Sequence, residues 1–251
     1  MLAGARLALS WLTVLPTGEV HVDRRVGGRA IAAAPVVGAL LGALLAAVAI
    51  GLHELAAPAL LAGLVGVAVL GLLSRGMHLD GLADVADGFG CYGPPERALA
   101  VMRDGSAGPF AVVALVIVLG IQASCIGALA AHQHWVALVL APAVGRAGFL
   151  LGCRRGVPAA RDDGLGALVS GTQRLPVVLA WWVVLAAVAT FAVPHRPWQG
   201  PLGVLLAALL VLLLLTRARR RFGGMTGDVL GASSELGCSV MLLVAVLAVP
   251  H

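Results

Sequence analysis

The sequence predicts an all-α protein, a polytopic integral membrane bundle of about seven transmembrane helices. Of its 251 residues, 60% are hydrophobic and 12% are charged, whereas soluble domains average about 45–50% apolar and about 25% charged. The mean hydropathy is +1.00. Long apolar runs also recur between short polar segments, which is the pattern of a chain that crosses a bilayer repeatedly.

The first 18 residues form a separate amphipathic element. Apolar side chains recur there beside Arg6 and Trp11, and Pro16 and Gly18 end the segment. Because no small-residue cleavage site follows, we expect an interfacial helix at the amino terminus and not a signal peptide.

Seven apolar runs follow, at 30–52, 55–74, 108–131, 135–152, 175–193, 201–216 and 236–250. A span needs about 20 apolar residues, or about 17 if the helix is untilted. The last two runs are at or below that limit, so we predict seven spans with six as the alternative. Small residues within two runs predict close helix approach. They are Gly38 and Gly42, then Gly63, Gly66 and Gly71.

Arginine is distributed unequally between the two predicted faces. The chain has no lysine, and 15 of its 17 arginines fall on one side, in residues 1–29, 75–107, 153–174 and 217–235. Such an asymmetry predicts a cytoplasmic amino terminus. The acidic residues follow the same partition, with only Glu54 on the far side. We therefore expect the last three segments to form a site on the cytoplasmic face of one membrane-embedded domain, residues 1–251.

Composition also excludes several classes of function. The net charge of +5 reflects cytoplasmic loops facing anionic head groups, and we expect no nucleic-acid partner. The four scattered cysteines form no CxxC pair, which argues against a zinc site or a disulfide framework. Without lysine there is no phosphate-binding Gly-x-x-x-x-Gly-Lys motif, and no Gly-x-Ser-x-Gly elbow is present.

The segment 78–90 carries three aspartates with helical spacing. Asp80, Asp84 and Asp87 lie at i, i+4 and i+7, on one helix face, where they repel one another unless a cation is bound. Oxygen ligands of this kind suit Mg²⁺, which completes its shell with water and substrate phosphates. The alternative is a solvated acidic face. We predict a magnesium site at these residues.

A second polar stretch, 102–109, precedes the next span. Asp104 can cap the helix that starts near Pro109. Alternatively, Gly105 and Gly108 present backbone N–H groups to a phosphate at that helix start, and Arg103 adds a fork of donors.

The third stretch is the glycine-rich segment 223–235. Gly227 permits close approach of a ligand, and Asp228 and Glu235 share one helical face. Elsewhere, Arg146 lies inside an apolar run and should face the bundle interior or extend to its cytoplasmic end. His78 precedes the first aspartate and could accept a proton.

Carboxylates, arginines and glycine-rich turns on one membrane face suit the transfer of a phosphoryl-linked group. The acids hold Mg²⁺, the arginines neutralise a diphosphate, and a substrate hydroxyl attacks in line. On this basis Asp84, Asp104 and His78 are candidate catalytic residues.

The motif His-Leu-Asp-Gly-Leu-Ala-Asp-x-x-Asp-Gly at 78–88 resembles the signature of the cobalamin synthase (adenosylcobinamide-GDP ribazoletransferase) family. Further similar motifs are 102–108, Gly-x-Thr-Gly-Asp-x-x-Gly-Ala at 224–232, and Leu-Thr-x-Leu-Pro at 12–16 followed by Pro35-x-x-Gly38. The resemblance covers essentially the whole chain. The stretch at 102–108 differs in that Gly105, Ser106 and Ala107 follow Asp104.

This resemblance implies a Mg²⁺-dependent enzyme of the bacterial cytoplasmic membrane. It would join α-ribazole, or its 5′-phosphate, to adenosylcobinamide-GDP and release GMP, in the final assembly of the nucleotide loop of vitamin B12. The implied partners are these two substrates and the lipid bilayer, and assembly into a homo-oligomer is left open.

Two rival classes share some of these features. The CDP-alcohol phosphotransferase signature also starts Asp-Gly-x-x-Ala, but it needs arginine where this chain has Asp84. An ion-coupled transporter could use the same acids, although transporters place them near the bilayer midplane on broken helices.

Overall fold

The computed structural model describes residues 2–247, and within that range the predicted all-α class is confirmed. It contains eleven helices and no named strand. They are α1 (Leu2–Leu12), α2 (Arg24–Glu54), α3 (Ala59–Leu73), α4 (Met77–Gly90), α5 (Pro95–Val101), α6 (Pro109–Ala131), α7 (Trp135–Gly152), α8 (Gly164–Val169), α9 (Leu175–Ala189), α10 (Gln199–Phe222) and α11 (Gly227–Val246).

Five helices are long and apolar enough to cross a bilayer, namely α2, α6, α7, α10 and α11. Helices α3 and α4 meet at a bend of 93° and raise the number to six if they count as one broken span. By length and composition, the described residues therefore give five spans, or up to six, where the sequence predicts seven with six as the alternative. Helix α4 itself carries the acidic face and lies with the polar segments. The last predicted run, 236–250, overlaps α11, and its residues 248–250 lie outside the described range.

Large apolar side chains are exposed on the outer helices, as expected of a surface that faces lipid. Examples are Leu40 and Leu44 of α2, Leu60 and Leu64 of α3, Val113 and Val116 of α6, and Leu205, Leu209 and Leu213 of α10. Helix α7, by contrast, is buried along almost its whole length. The bundle thus has a lipid-facing shell around α7 and α11.

Glycines let neighbouring helices approach each other closely, as the sequence predicts. A Cβ at Gly38 would lie 2.5 Å from the carbonyl oxygen of Pro142 in α7. Gly63 packs against the backbone of Ala123 in α6, while Gly71 makes only an ordinary contact with a leucine side chain. Backbone-to-backbone packing of this kind is how membrane helices gain dispersion energy without large side chains.

The three polar segments expected to form the site meet at one end of the bundle. Segment 75–107 joins 153–174 through an ion pair of 3.1 Å between Arg103 and Asp163. Segment 153–174 joins 217–235 through a hydrogen bond of 3.0 Å from Ala160 N–H to the Met225 carbonyl. We refer to this end as the polar end.

Different contacts hold the far end together. The side chain of Gln133, after α6, lies 3.2 Å from the His53 ring of α2. The side chain of Gln199 donates to the Val244 carbonyl at 2.6 Å and ties the start of α10 to the end of α11. Since α10 ends at the polar end, α9 and α10 form a hairpin that returns the chain there, although α9 has only 15 residues.

Helix α1 packs on the polar end and buries one face against α2. Its buried residues include Leu7, Ala8 and Leu12, whereas Leu2 is exposed. The Arg75 guanidinium donates to the Ser10 carbonyl at 2.8 Å, and this holds the end of α1 to the bend between α3 and α4. The predicted amphipathic helix therefore packs against the bundle with its buried face.

Candidate functional site

Helices α4 and α11 approach backbone to backbone at two glycines. A Cβ at Gly81 would lie 2.8 Å from the carbonyl oxygen of Asp228, and one at Gly231 would lie 3.2 Å from the Cα of His78. Any larger side chain would have to move a helix, because the neighbouring atoms are backbone. This packing places the acidic face of α4 beside the first turn of α11.

The first turn of α11 is fixed by its own cap. The hydroxyl of Thr226 accepts a hydrogen bond from Val229 N–H at 3.2 Å, which satisfies one of the free donors of the helix start. Gly227 follows as the first helical residue, with open space as far as the Leu165 side chain at 3.6 Å. The cap therefore sets the position of the next residue, Asp228.

Asp80, Asp84 and Asp228 form the acidic cluster of the site. Asp80 is exposed, and Asp84 is half-buried. The pKa of the Asp84 carboxyl is raised to about 7, chiefly by burial and then by the negative charges of Asp80 and Asp228. A cation that binds between these carboxylates offsets their mutual repulsion.

Asp87 makes a different contact from the one predicted for it. Its carboxylate accepts hydrogen bonds from Gly108 N–H at 2.6 Å and from Ala111 N–H at 3.0 Å. These are free donors at the start of α6, which has no side-chain cap of its own. A negative charge there also complements the helix dipole. The structure therefore gives Asp87 the role of capping α6.

The same contact changes the interpretation of Gly108. Its N–H points to Asp87, so it is not free to bind a phosphate as the sequence suggested. A Cβ at residue 108 would lie 2.7 Å from an Asp87 oxygen, which explains why glycine is needed there.

Between residues 2 and 247, no group of three or more His, Cys, Asp or Glu side chains is arranged to hold a metal ion. The predicted trio is incomplete because Asp87 is turned toward α6. Mg²⁺ commonly binds through one or two carboxylates and completes its octahedron with water and substrate phosphates. The acidic cluster of Asp80, Asp84 and Asp228 fits that mode.

Arg161 is the site residue that sequence reasoning missed. Its guanidinium donates to the Leu99 carbonyl at 2.9 Å, and its positive charge lowers the pKa of Asp84. It reaches this position because the neighbouring Ala160 is bonded to Met225, just before α11. The available signal was its place in an arginine-bearing loop on the predicted cytoplasmic face.

Arg103 and Arg161 both line two adjoining clefts at the polar end. One, of about 520 Å³, also contains Glu96 and Asp104. The other, of about 280 Å³, also contains Gly227 and Asp228. Arginine forks suit phosphate oxygens, so these clefts can hold a diphosphate beside the acidic cluster.

Asp104 and Gly105 lie in the exposed loop before α6. Asp104 accepts a hydrogen bond from the Ser106 hydroxyl at 2.8 Å, and Gly105 has φ +68° with open space around it. Asp104 does not cap α6, because Asp87 does. Asp104 instead lines the larger cleft with Arg103.

Glu235 lies deeper in the bundle, two turns along α11 from Asp228. Its carboxylate accepts a hydrogen bond of 2.8 Å from the Gln122 side chain. It also lies 3.9 Å from the Nδ1 atom of His78. Within the described range, neither ring nitrogen of His78 has a hydrogen-bond partner, and the ring packs edge-on against Phe149.

Arg146 is buried in α7, as one of the two sequence alternatives expected. Its Nη1 atom donates to the Pro142 carbonyl at 3.3 Å, and its Nε atom has no partner among residues 2–247. Arg146, Glu235 and Gln122 line a small cavity of their own, and neither arginine-lined cleft includes them. Arg146 and Glu235 therefore belong to an internal polar cluster and not to the diphosphate clefts.

A larger cavity of about 360 Å³ lies beneath α1. It is bounded by residues of α1, α2, α4, α7, α8 and α11, and its ionisable lining residues are His78, Asp80 and Asp228. The rest of the lining is apolar and includes Trp11 and Phe149. The acidic cluster thus lies between two spaces, the arginine-lined clefts and an apolar cavity.

Comparison with known proteins gives a consistent result. A family model described as cobalamin-5-phosphate synthase matches residues 4–246. An adenosylcobinamide-GDP ribazoletransferase of Frankia casuarinae is 38% identical, with 100% of this chain and 96% of the relative covered. Relatives with the same name from a Nocardioides species and from Pseudomonas savastanoi are each 40% identical. Those alignments cover 95% and 96% of this chain and 96% and 98% of the relatives, respectively. No solved structure gives a significant match.

Proposed function

Because the chain belongs to the cobalamin-5-phosphate synthase family, we propose that it is an adenosylcobinamide-GDP ribazoletransferase. A hydroxyl of α-ribazole, or of its 5′-phosphate, attacks the phosphorus that is linked to cobinamide. The bond from that phosphorus to GMP breaks, GMP leaves, and the hydroxyl loses its proton. The product is adenosylcobalamin or its 5′-phosphate.

One observation carries this proposal: the acidic cluster and two arginines share the polar end. Arg161 and Arg103 line the clefts next to Asp228. They can neutralise the diphosphate of the donor and orient it toward the acceptor. The carboxylates of the acidic cluster would repel that diphosphate unless a cation lay between them.

Mg²⁺ fits this donor set, and one or two of the carboxylates of Asp80, Asp84 and Asp228 would hold it, with water and substrate phosphates completing its shell. When bound, it supplies charge stabilisation for the phosphoryl oxygens and the leaving group. Asp87 supports the site by fixing the start of α6, and the Gly81 contact keeps α4 against α11.

We further propose that the polar end faces the cytoplasm of a bacterial cell, with the amino terminus on the same side. The distribution of the arginines supports this orientation. Reporter fusions at residue 93, in the exposed turn after α4, should be cytoplasmic, and a periplasmic signal would invert the topology.

A release assay tests the proposed activity. Protein purified in detergent should release GMP from adenosylcobinamide-GDP only when α-ribazole or its 5′-phosphate and Mg²⁺ are present. A CDP-alcohol donor serves as the negative control. Release of CMP from that donor, or GMP release without an acceptor, would contradict the assignment.

A further inference from the structure

The cavity beneath α1 is placed next to the acidic cluster but has a different chemical character from the clefts. Asp80 and Asp228 belong to its lining, so its contents lie beside the proposed reaction centre. Its remaining walls are apolar and include Trp11, Phe149 and the small side chains of Ala8 and Ala30. No arginine lines it.

Size and polarity decide which part of the substrates it can hold. A cavity of about 360 Å³ is at the small end of ligand pockets, which span about 300–1,000 Å³. A corrin ring with its amide side chains is far larger. A buried guanine base needs hydrogen-bond donors for its O6 and N7 atoms. The side chains of the lining offer only one imidazole and one indole N–H for them, and the two carboxylates are the proposed cation ligands.

A flat aromatic base with few hydrogen-bonding groups matches both the size of the cavity and its mostly apolar walls. Trp11 and Phe149 can stack against it or contact its edge, and no arginine among the described residues lines the cavity to pair with an anionic group. The sugar of the acceptor would then extend from the base toward the acidic cluster, which brings its hydroxyl to the donor phosphorus.

We propose that this cavity binds the aromatic base of the ribazole acceptor and that α1 forms part of the acceptor site. The inference rests on the proposed function, because that function supplies an acceptor with a benzimidazole base. It assigns Trp11 and Ala30 as residues that set acceptor specificity.

Filling the cavity tests the proposal. Ala30 is 1% exposed and lines the cavity, so Ala30→Leu should reduce the space for the methyl groups of the base. Two acceptors are compared, α-ribazole, whose base is 5,6-dimethylbenzimidazole, and the riboside of unsubstituted benzimidazole. The ratio of their kcat/KM values should shift about tenfold toward the smaller base, as expected when a pocket loses room for a methyl-sized group.

The controls separate this effect from general damage. Ala33→Leu makes the same change on the same helix outside the cavity and should leave the ratio unchanged. The KM for adenosylcobinamide-GDP should stay within about twofold of wild type in both variants. If Ala30→Leu does not insert stably, Trp11→Ala replaces it and should raise the KM for both acceptors without raising that of the donor.

Three results would overturn the assignment. They are an unchanged acceptor ratio, a change confined to the donor KM, and loss of a co-purified lipid from the variant with acceptor kinetics unaffected. A wild-type protein that releases no GMP with either acceptor would instead refute the proposed function. If the wild-type protein is active and Ala30→Leu leaves the acceptor ratio unchanged, only the proposed base site is refuted.

Discussion

Gly81 lies against the backbone of Asp228, so close that a Cβ at residue 81 would come within 2.8 Å of the Asp228 carbonyl oxygen. This contact aligns two acids on α4 with one on α11, and the spacing of the acidic cluster therefore depends on a residue that has no side chain.

Gly81→Ala should weaken the acidic cluster without removing a carboxylate. The added methyl group pushes α4 away from α11, and small displacements of reacting groups are costly. We expect kcat/KM to fall at least about tenfold, with a higher Mg²⁺ requirement. Gly120→Ala is the matched control, since its Cβ would meet no atom within 4 Å. Equal losses in both variants would show that helix propensity, not the contact, matters.

Asp87→Ala should lower stability more than it changes the Mg²⁺ requirement. The substitution leaves the N–H groups of Gly108 and Ala111 unpaired at the start of α6, at a cost of about 1–3 kcal/mol. Thermal unfolding in detergent should show the loss, while the Mg²⁺ concentration for half-maximal activity in the surviving protein stays near wild type. A greatly increased Mg²⁺ requirement at unchanged stability would return Asp87 to the metal ligands.

Arg161→Ala should raise the KM for adenosylcobinamide-GDP at least about tenfold, because the diphosphate loses a charged fork of donors. The exposed Arg155 provides the control, and Arg155→Ala should have little effect. Steady-state kinetics with varied donor distinguish the two. An Arg161→Ala enzyme with normal donor KM would remove this residue from the diphosphate site.

Binding of Mg²⁺ should weaken as the pH falls. The pKa of Asp84 is raised to about 7, so below that pH its carboxyl holds a proton that the cation must displace. Without Mg²⁺, this group binds its proton more tightly in the folded protein, and its contribution to stability declines as pH rises from about 4 to about 7.

The increase in Tm on adding Mg²⁺ should accordingly be larger at pH 8 than at pH 5.5. Asp84→Asn should remove most of that difference, whereas Asp162→Asn, at an exposed acid, should retain it. A Mg²⁺ effect that is independent of pH in wild-type protein would exclude Asp84 as a ligand.

The length of the apolar runs and the position of the glycines within them predicted the elements of the fold well, since both act through local geometry. The positions of Gly38 and Gly63 at close helix contacts follow directly from small residues within apolar runs. The lengths of α3 and α9 were less predictable, because turns shorten both. Helix α3 begins at residue 59 of the run 55–74, and α9 ends at residue 189 of the run 175–193.

The site was predicted less completely, for a physical reason. Spacing shows that Asp80, Asp84 and Asp87 share a face of one helix, but it does not show which neighbour that face meets. Asp87 caps the start of α6, whereas Asp80 and Asp84 lie beside α11. Arg161 lies in a loop without periodicity, and the backbone bonds of Met225 with Pro158 and Ala160 bring it to the site.

The contact between α4 and the first turn of α11 also has a consequence for biosynthesis. Asp80 and Asp84 emerge from the ribosome early, but Asp228 is carried by the last helix. A nascent chain therefore holds two mutually repelling acids without their third partner until α11 has been synthesised. The acidic cluster cannot form before α11 has been inserted and has packed against α4.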